Sequence, residues 1–478
     1  MAAAKHHPAG LSLLPFIGEL ATLLALEQRQ DTRTKFMITI PLRPIPVRII
    51  FLLALAAGFA PLGWMVIRTA IGDSVMMFVE RKPDLSLEAR IEGADLALKY
   101  SPNDPLIRWR RGGVYLNAAN EEMEESRLEV ALDEFRAAAR MCPDDYRAWL
   151  SLGRALDRGG ETAEARRAFE RAVALAPNHF DPRWAFGNHL LRAGDRDGSF
   201  AQMRVALGNR PSALPLVFDY AWDVYRGDGK AIAAALDPPR QVKSLLTSLL
   251  IYRGRVDDAM AVWRGMESPS ASDAQKVAEA LFNTGNFNKA YAVWASVEIP
   301  NRPLPDAGSL LSNGGFEGKL SLNQKTPFLT WQITPTAGAK VLQDRKGPRA
   351  GQFSFRAGFD VRGNVAFTIA SQTVPVKPST SYLLTFSIKR EKLLSLSTPL
   401  IEVFDSAYDL AGGNRFRVTT KPLPNGDSGW NDYTLEFTTN AQTEAATVRI
   451  QRPPCSEPPC PIEGHVWFDE FKLAEKAK

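Results

Sequence analysis

The sequence predicts a multidomain chain, α first and β last. It comprises one transmembrane helix, a solenoid of helical hairpins, and a C-terminal antiparallel β-sandwich or jelly roll. Three observations predict this. Residues 49–67, IIFLLALAAGFAPLGWMVI, run without a charge. Pro143, Pro177 and Pro211 recur 34 residues apart. Thr occurs 8 times in residues 1–306 and 16 times in residues 307–478, and Thr suits strands better than helices. The length of 478 residues fits about three units at roughly 150 residues each.

Composition narrows the function classes. With 45% hydrophobic and 23% charged residues, the chain is neither largely disordered nor a polytopic membrane protein. A net charge of +5, from 58 basic and 53 acidic side chains, is too balanced for a dedicated nucleic-acid binder. Three cysteines exclude a disulfide-built scaffold, and five histidines leave little for His-based catalysis.

At 1.5 Å per residue, 49–67 is long enough for a hydrocarbon core of about 30 Å. Pro61 and Gly63 are tolerated in such helices, and Trp64 suits the outer interface. Arg29, Arg33, Lys35, Arg43 and Arg48 precede the span, whereas Arg68, Arg81 and Lys82 follow it. The excess places residues 1–48 inside as a cytoplasmic tail and the bulk of the chain outside. The expected location is therefore the inner, cytoplasmic membrane, crossed once, with the remainder in the periplasm or outside. A cleaved signal peptide is the alternative, but AGFA before Pro61 is a poor cleavage context. The segment from Met37, MITIPLRPIPVRII, resembles a signal anchor by itself, so the 36 residues before it are expected to be an upstream extension.

The next unit, 84–298, is expected to be helical. Aligned on the recurring prolines, one unit reads Trp149, Leu152, Gly153, Leu156, Ala165, Phe169, Ala172, Pro177. Gly153 and Ala165 are small where two helices cross; Trp149, Leu156 and Phe169 fill the seam; Pro177 ends the second helix. The next unit carries Phe186, Gly187, Leu190, Met203, Ala206 and Pro211, with Ser199 where Ala is usual. The preceding one has Trp109, Gly113, Leu116, Ala131, Phe135, Ala138 and Pro143, with six extra residues centred on EEMEE, 121–125. Residues 253–266 and 284–297 align at a spacing of 31, matching Gly254 with Gly285 and Trp263 with Trp294, as two degenerate hairpins. Cys142 is expected to be buried and free.

These residues resemble the tetratricopeptide repeat, strongly over 105–211 and weakly over 212–298. The resemblance implies a right-handed superhelix whose groove binds peptides or partner proteins. Arg154, Asn188 and Arg192, polar residues on the inner helices, are the candidate partner contacts.

PNRPLPDAG (300–308), within the expected linker 299–308, is a Pro-rich breaker. Period-two stretches then follow at 365–376, 381–390, 400–406, 432–439, 446–452 and 465–473. About eight short strands over 309–475 are expected to form a two-sheet sandwich. The domain opens SNGGFEG and continues with Trp331, SQTVPVKPSTSYLLTFSIK, GWNDYTLEFTT and GHVWFDEFKL. This order resembles carbohydrate-binding modules of the family 4/9 type. The resemblance implies a structural calcium at Glu317 and Asp469, with Glu470 where the family often has a second Asp or Asn. No cofactor is otherwise required. Phe316, Trp331, Tyr382, Phe386, Trp430, Phe437 and Phe468 are expected in the core. Sugar binding needs exposed aromatic faces beside polar groups, for which Tyr408, Phe416, Trp467, Asn414 and Arg415 are candidates. Cys455 and Cys460 frame CSEPPC, a spacing that allows a small disulfide loop suited to an oxidising compartment.

No Gly-rich phosphate loop, HExxH, GxSxG or CxxC occurs. Glycoside hydrolysis needs two facing carboxylates, and nothing singles out Glu402 and Asp405. The chain is therefore read as a non-enzymatic, membrane-anchored extracytoplasmic scaffold. Its repeats are expected to bind a protein partner, and its sandwich a glycan or second partner. Such a pairing suits envelope polysaccharide assembly or export, with no nucleic-acid partner. The alternative is a purely structural adaptor whose sandwich caps the helical stack and binds no sugar.

Overall fold

The computed structural model describes residues 45–298, 302–320, 330–334, 336–408 and 415–476. Nearly all of the expected cytoplasmic tail, including the segment before Met37, lies outside the described residues. The chain divides into two compact units, one ending at Ile107 and one beginning at Arg108.

In the first unit α1 (Ile45–Arg81) is one continuous helix of 37 residues with Pro61 inside it. The apolar run is thus embedded in a longer helix than the expected 49–67, and α1 is a candidate membrane span by length and composition. The extension has a packing cause. Gly72, Met76 and Val79 are buried on one face, where α2 (Leu87–Tyr100) presents buried Ala94 and Ala97. Ser86 caps α2 through the Ala89 amide at 3.2 Å.

The second unit begins inside α3 (Pro105–Glu122), which pairs with α4 (Glu125–Met141). Five more hairpins follow: α5 (Tyr146–Arg158) with α6 (Thr162–Leu175), α7 (Phe180–Arg192) with α8 (Arg196–Asn209), and α9 (Leu214–Val224) with α10 (Gly229–Leu236). The last two are α11 (Arg240–Tyr252) with α12 (Val256–Arg264), and α13 (Ala271–Asn283) with α14 (Phe287–Ala295). The repeat architecture therefore continues through the region where its signature fades. One turn recurs: Gly160, Gly194, Gly227, Gly254 and Gly285 all lie in the left-handed region, φ 72° to 84°, where only glycine avoids a Cβ penalty.

The seam follows the expected logic. A Cβ on Gly153 would stand 2.8 Å from Phe169 ring carbons. Trp263 and Trp294 are core residues, 6% and 1% exposed. Two expectations need correction, and one open point is settled. In the first hairpin Gly112, not Gly113, lies against Phe135. The six extra residues, whose placement the sequence left open, are taken up by the helices. They lengthen α3 and α4 to 18 and 17 residues, and Met123 takes the positive φ, 54°, at the turn. Cys142 is free but exposed, because as C-cap of α4 it contributes only its backbone N–H, to Ala138 O.

Among the described residues the sandwich has ten strands: β1 (Gln332–Ile333), β2 (Ala339–Asp344), β3 (Ser354–Val361), β4 (Phe367–Pro375), β5 (Ser381–Ser395), β6 (Leu400–Asp405), β7 (Arg417–Thr419), β8 (Gly426–Thr438), β9 (Ala445–Arg452) and β10 (Ile462–Glu475). They form two antiparallel five-stranded sheets, β1-β4-β9-β6-β7 and β2-β3-β10-β5-β8. Phe316, Trp331, Tyr382, Phe386, Phe437 and Phe468 are buried as expected. Trp430 is only half-buried on the edge strand β8, and its indole donates to Gly347 O at 3.1 Å.

The expected linker is tied down at both ends. The Arg302 guanidinium bonds Trp294 O, Ala295 O and Val297 O. Asp306 accepts from the amides of Asn313 and Gly314 at 2.9 and 2.7 Å. One contiguous apolar core runs from Phe200 in the helices to Leu473 in β10. The Asn288 amide donates to Glu444 across this joint at 2.8 Å.

Candidate functional site

The expected groove residues lie on the first helices of two successive hairpins, α5 and α7. Arg154 on α5 has an exposed side chain with no hydrogen-bond or ion-pair partner among the described residues. Its surroundings nevertheless desolvate the guanidinium, which lowers its pKa; Asp181 partly offsets this. The other two candidates are committed. The Arg192 guanidinium pairs with Asp157, which also binds His189 Nδ1 at 2.8 Å. Asn188 Nδ2 donates to Trp184 O, one turn back on its own helix, at 3.0 Å. Sequence reading missed the aromatic neighbours of this row: Trp184 stacks with Phe180 at 5.8 Å and meets Tyr220 edge-on at 5.0 Å.

The sugar-binding candidates fare differently. Tyr408 is 37% exposed, with the Arg417 guanidinium 5.7 Å from its ring centre. Asn414 lies outside the described residues. Arg415 is held by buried Asp405 at 3.0 Å. Phe416 stacks on Phe437 at 5.2 Å and is partly buried against the core. Trp467 is buried rather than exposed, at 4%. Its register explains this. Trp467 sits in a row across four strands, Leu342–Arg356–Trp467–Lys389. Arg356 and Lys389 lie 5.1 and 5.0 Å from its ring centre, and its Nε1 donates to Asp344 at 2.9 Å. The neighbouring row is Lys340–Gly358–His465–Glu391. The His465 ring leans over Gly358, where a Cβ would stand 2.8 Å from Nδ1, and a hollow of about 310 Å³ lies there beside Arg356 and His465. Arg356 Nε and His465 Nδ1 are buried atoms without hydrogen-bond partners. The signal for this hollow was the Gly358 position, which alternation alone does not interpret.

Glu317 and Asp469 meet at the loop between β2 and β3. Glu317 Oε1 accepts from the Gln352 and Phe353 amides at 2.8 and 3.0 Å. Asp469 Oδ2 accepts from the Arg349 amide at 2.8 Å, and Oδ1 from the Glu470 amide at 2.8 Å. Burial pushes the Asp469 carboxyl up to about 6, against the pull of these amides. A Cβ on Gly315 would lie within 3.9 Å of Glu317, Asp469 and Glu470 atoms alike. Oxygen donors around a buried carboxyl with no cation beside it fit a hard cation such as Ca²⁺. Among the described residues no three acid, His or Cys side chains form a metal cage alone. Backbone carbonyls and water would complete the set.

Cys455 and Cys460 are joined as a disulfide, their Cα atoms 6.1 Å apart. Glu402 and Asp405 are each engaged by arginine. Glu402 is buried between Arg417 and Arg449, and Asp405 binds Arg415 and Thr443.

The human protein O-mannosyl-transferase TMTC1 is 28% identical over 88 residues, 18% of this chain and 10% of that protein. This chain thus spans about a tenth of the curated relatives it matches. MamA from Desulfovibrio magneticus RS-1 is 21% identical, covering 30% of this chain and 76% of that structure, with a TM-score of 0.26. A solved structure described as "CBM4 structure and function" is 13% identical, covering 35% of this chain and 99% of that one, with a TM-score of 0.26. Residues 116–180 and 152–215 match the tetratricopeptide repeat family, so the helical stack contains tetratricopeptide repeats.

Proposed function

We propose that this chain is a membrane-anchored scaffold. α1 holds it in the inner membrane with the N-terminus inside, and the repeats bind a protein partner on the outer side. The observation that carries this reading is Arg154. Its exposed guanidinium feels Asp181 but has no hydrogen-bond or ion-pair partner among the described residues, so it is ready for an acidic group on a partner. Trp184 and Tyr220 supply aromatic surface on the same series of helices. Capture from solubilised membranes with the full chain tests it. A partner retained by the wild type and released by Arg154→Ala, at unchanged unfolding temperature, is the expected result. Equal retention by both would remove Arg154 from the interface.

For the sandwich, the glycan reading moves to the hollow beside Arg356 and His465, with a calcium held by Glu317 and Asp469. It would place the protein in envelope polysaccharide assembly or export. No catalytic step belongs to this reading. The structural-adaptor alternative has an observation in its favour: the core shared by helices and sandwich. Glycan-array binding by the full chain separates the two. Binding that Arg356→Ala abolishes supports the glycan reading, and no binding with or without calcium leaves the sandwich as a cap.

A further inference from the structure

The helix α1 does not stop where its apolar run stops. The uncharged segment ends at Ile67, and the helix continues to Arg81, about 20 Å further on at 1.5 Å per residue. α2 then runs back down it. Near the far end Val79 lies against Gly93, and lower down Gly72 lies against Ser101. At the bottom the Arg68 guanidinium receives the C-terminus of α2: Nε donates to Tyr100 O at 3.1 Å and Nη2 to Lys99 O at 2.9 Å. Arg68 is the first charge after the apolar run. The turn from Tyr100 to Pro105 is therefore returned to the level at which the span leaves the hydrocarbon.

A hollow of about 480 Å³ lies at this level, lined by Trp64, Met65 and Arg68 on one side and Tyr100, Asn103 and Asp104 on the other. Trp64 and Met65 are 58% and 65% exposed. Apolar side chains thus form its lower wall, and a cation, an amide and a carboxylate stand with Pro102 and Pro105 in its upper wall. That gradient matches the passage from acyl chain to headgroup, the zone where Trp and Tyr concentrate. Arg68 Nη1 has no partner among the described residues.

We propose that this hollow is a phospholipid notch. A lipid of the outward-facing leaflet lays its chain along Trp64 and Met65 and its phosphate beside Arg68, and the Tyr100–Pro105 turn rests in the headgroup layer. The inference rests on the reading of α1 as a membrane span, and the test separates the two.

The full chain with Cys142→Ser is given one cysteine at a time, Leu55→Cys, Asn103→Cys or Asp84→Cys, and a nitroxide is attached under non-reducing conditions. It is then reconstituted in phosphatidylcholine–phosphatidylglycerol vesicles, and collision of the label with oxygen and with a nickel chelate is measured. The expected result is a hydrocarbon signature at position 55 and an aqueous one at position 84. At position 103 nickel accessibility should be several-fold below that at 84. A label at 103 as accessible as that at 84, with 55 in hydrocarbon, overturns the notch and leaves the span. An aqueous label at 55 overturns both. Arg68→Gln should raise nickel accessibility at 103 toward that at 84 while leaving 55 unchanged. No rise there overturns the role given to Arg68.

Discussion

Gly153 lies beneath the ring of Phe169, so close that a Cβ on it would stand 2.8 Å from Cδ1 and Cε1. Phe169 is 1% exposed and cannot swing away. Gly153→Ala is expected to destabilise the chain by about 1–2 kcal/mol, overpacking outweighing the helix propensity gained. Gly113, which meets nothing within 4 Å, provides the contrast. Gly113→Ala is expected to stabilise by about 0.5–1 kcal/mol. Urea unfolding midpoints of both variants against wild type check the pair; a loss at 113 or a gain at 153 contradicts the packing described.

Ser199 stands where the repeat usually has Ala, and its hydroxyl is fully buried without a hydrogen-bond partner. Ser199→Ala removes that group without changing the backbone. It is expected to raise stability by about 1 kcal/mol, read as a higher unfolding midpoint.

Glu402 is fully buried and accepts from Arg417 Nε at 2.9 Å and from Arg449. Neutralising it leaves two cations short of their shared anion. Glu402→Gln is expected to cost about 1.5–3 kcal/mol, the range for hydrogen bonds to charged groups. Both arginines are partly exposed, at 41% and 22%, so water limits the loss. Thermal unfolding of the variant measures it, and an unchanged transition would count against the pairing.

Asp469 makes stability depend on pH with an unusual sign. Its folded-state pKa, about 6, lies above the ordinary 3.8, so the native state holds the proton more tightly than the unfolded chain. The stability it contributes is fully present below about pH 4 and is lost as pH rises through 6. The difference in unfolding midpoint between wild type and Asp469→Asn should therefore shift between pH 4 and 7 and stay flat above. Added calcium should move that loss to lower pH, because a cation favours the carboxylate. A profile indifferent to calcium would remove the cation from Glu317 and Asp469.

The architecture was largely legible because its signals are periodic. A 34-residue proline spacing and period-two alternation survive local substitution, as does an uncharged run. The weak second half of the stack was readable through Gly254 and Gly285, whose left-handed turns persist where the seam residues change. Single positions were less legible. Gly112 and Gly113 are adjacent, and only the longer helix α3 decides which one meets Phe135. Trp467 looks exposed in a strand pattern, because alternation assigns a face and cannot show that Arg356 and Lys389 cover it. Arg192 looks like a groove cation until Asp157, 35 residues earlier, is seen to neutralise it. Pairing across hairpins and strands carries no mark in local sequence.

A stack of hairpins is open-ended by construction, since its last member offers the face that every earlier one has covered. Here that position is already engaged: α14 shares its core with the sandwich, and Asn288 is bonded to Glu444. Two copies therefore cannot join end to end through their final hairpins. The final hairpin is therefore not a surface through which this protein can build an array.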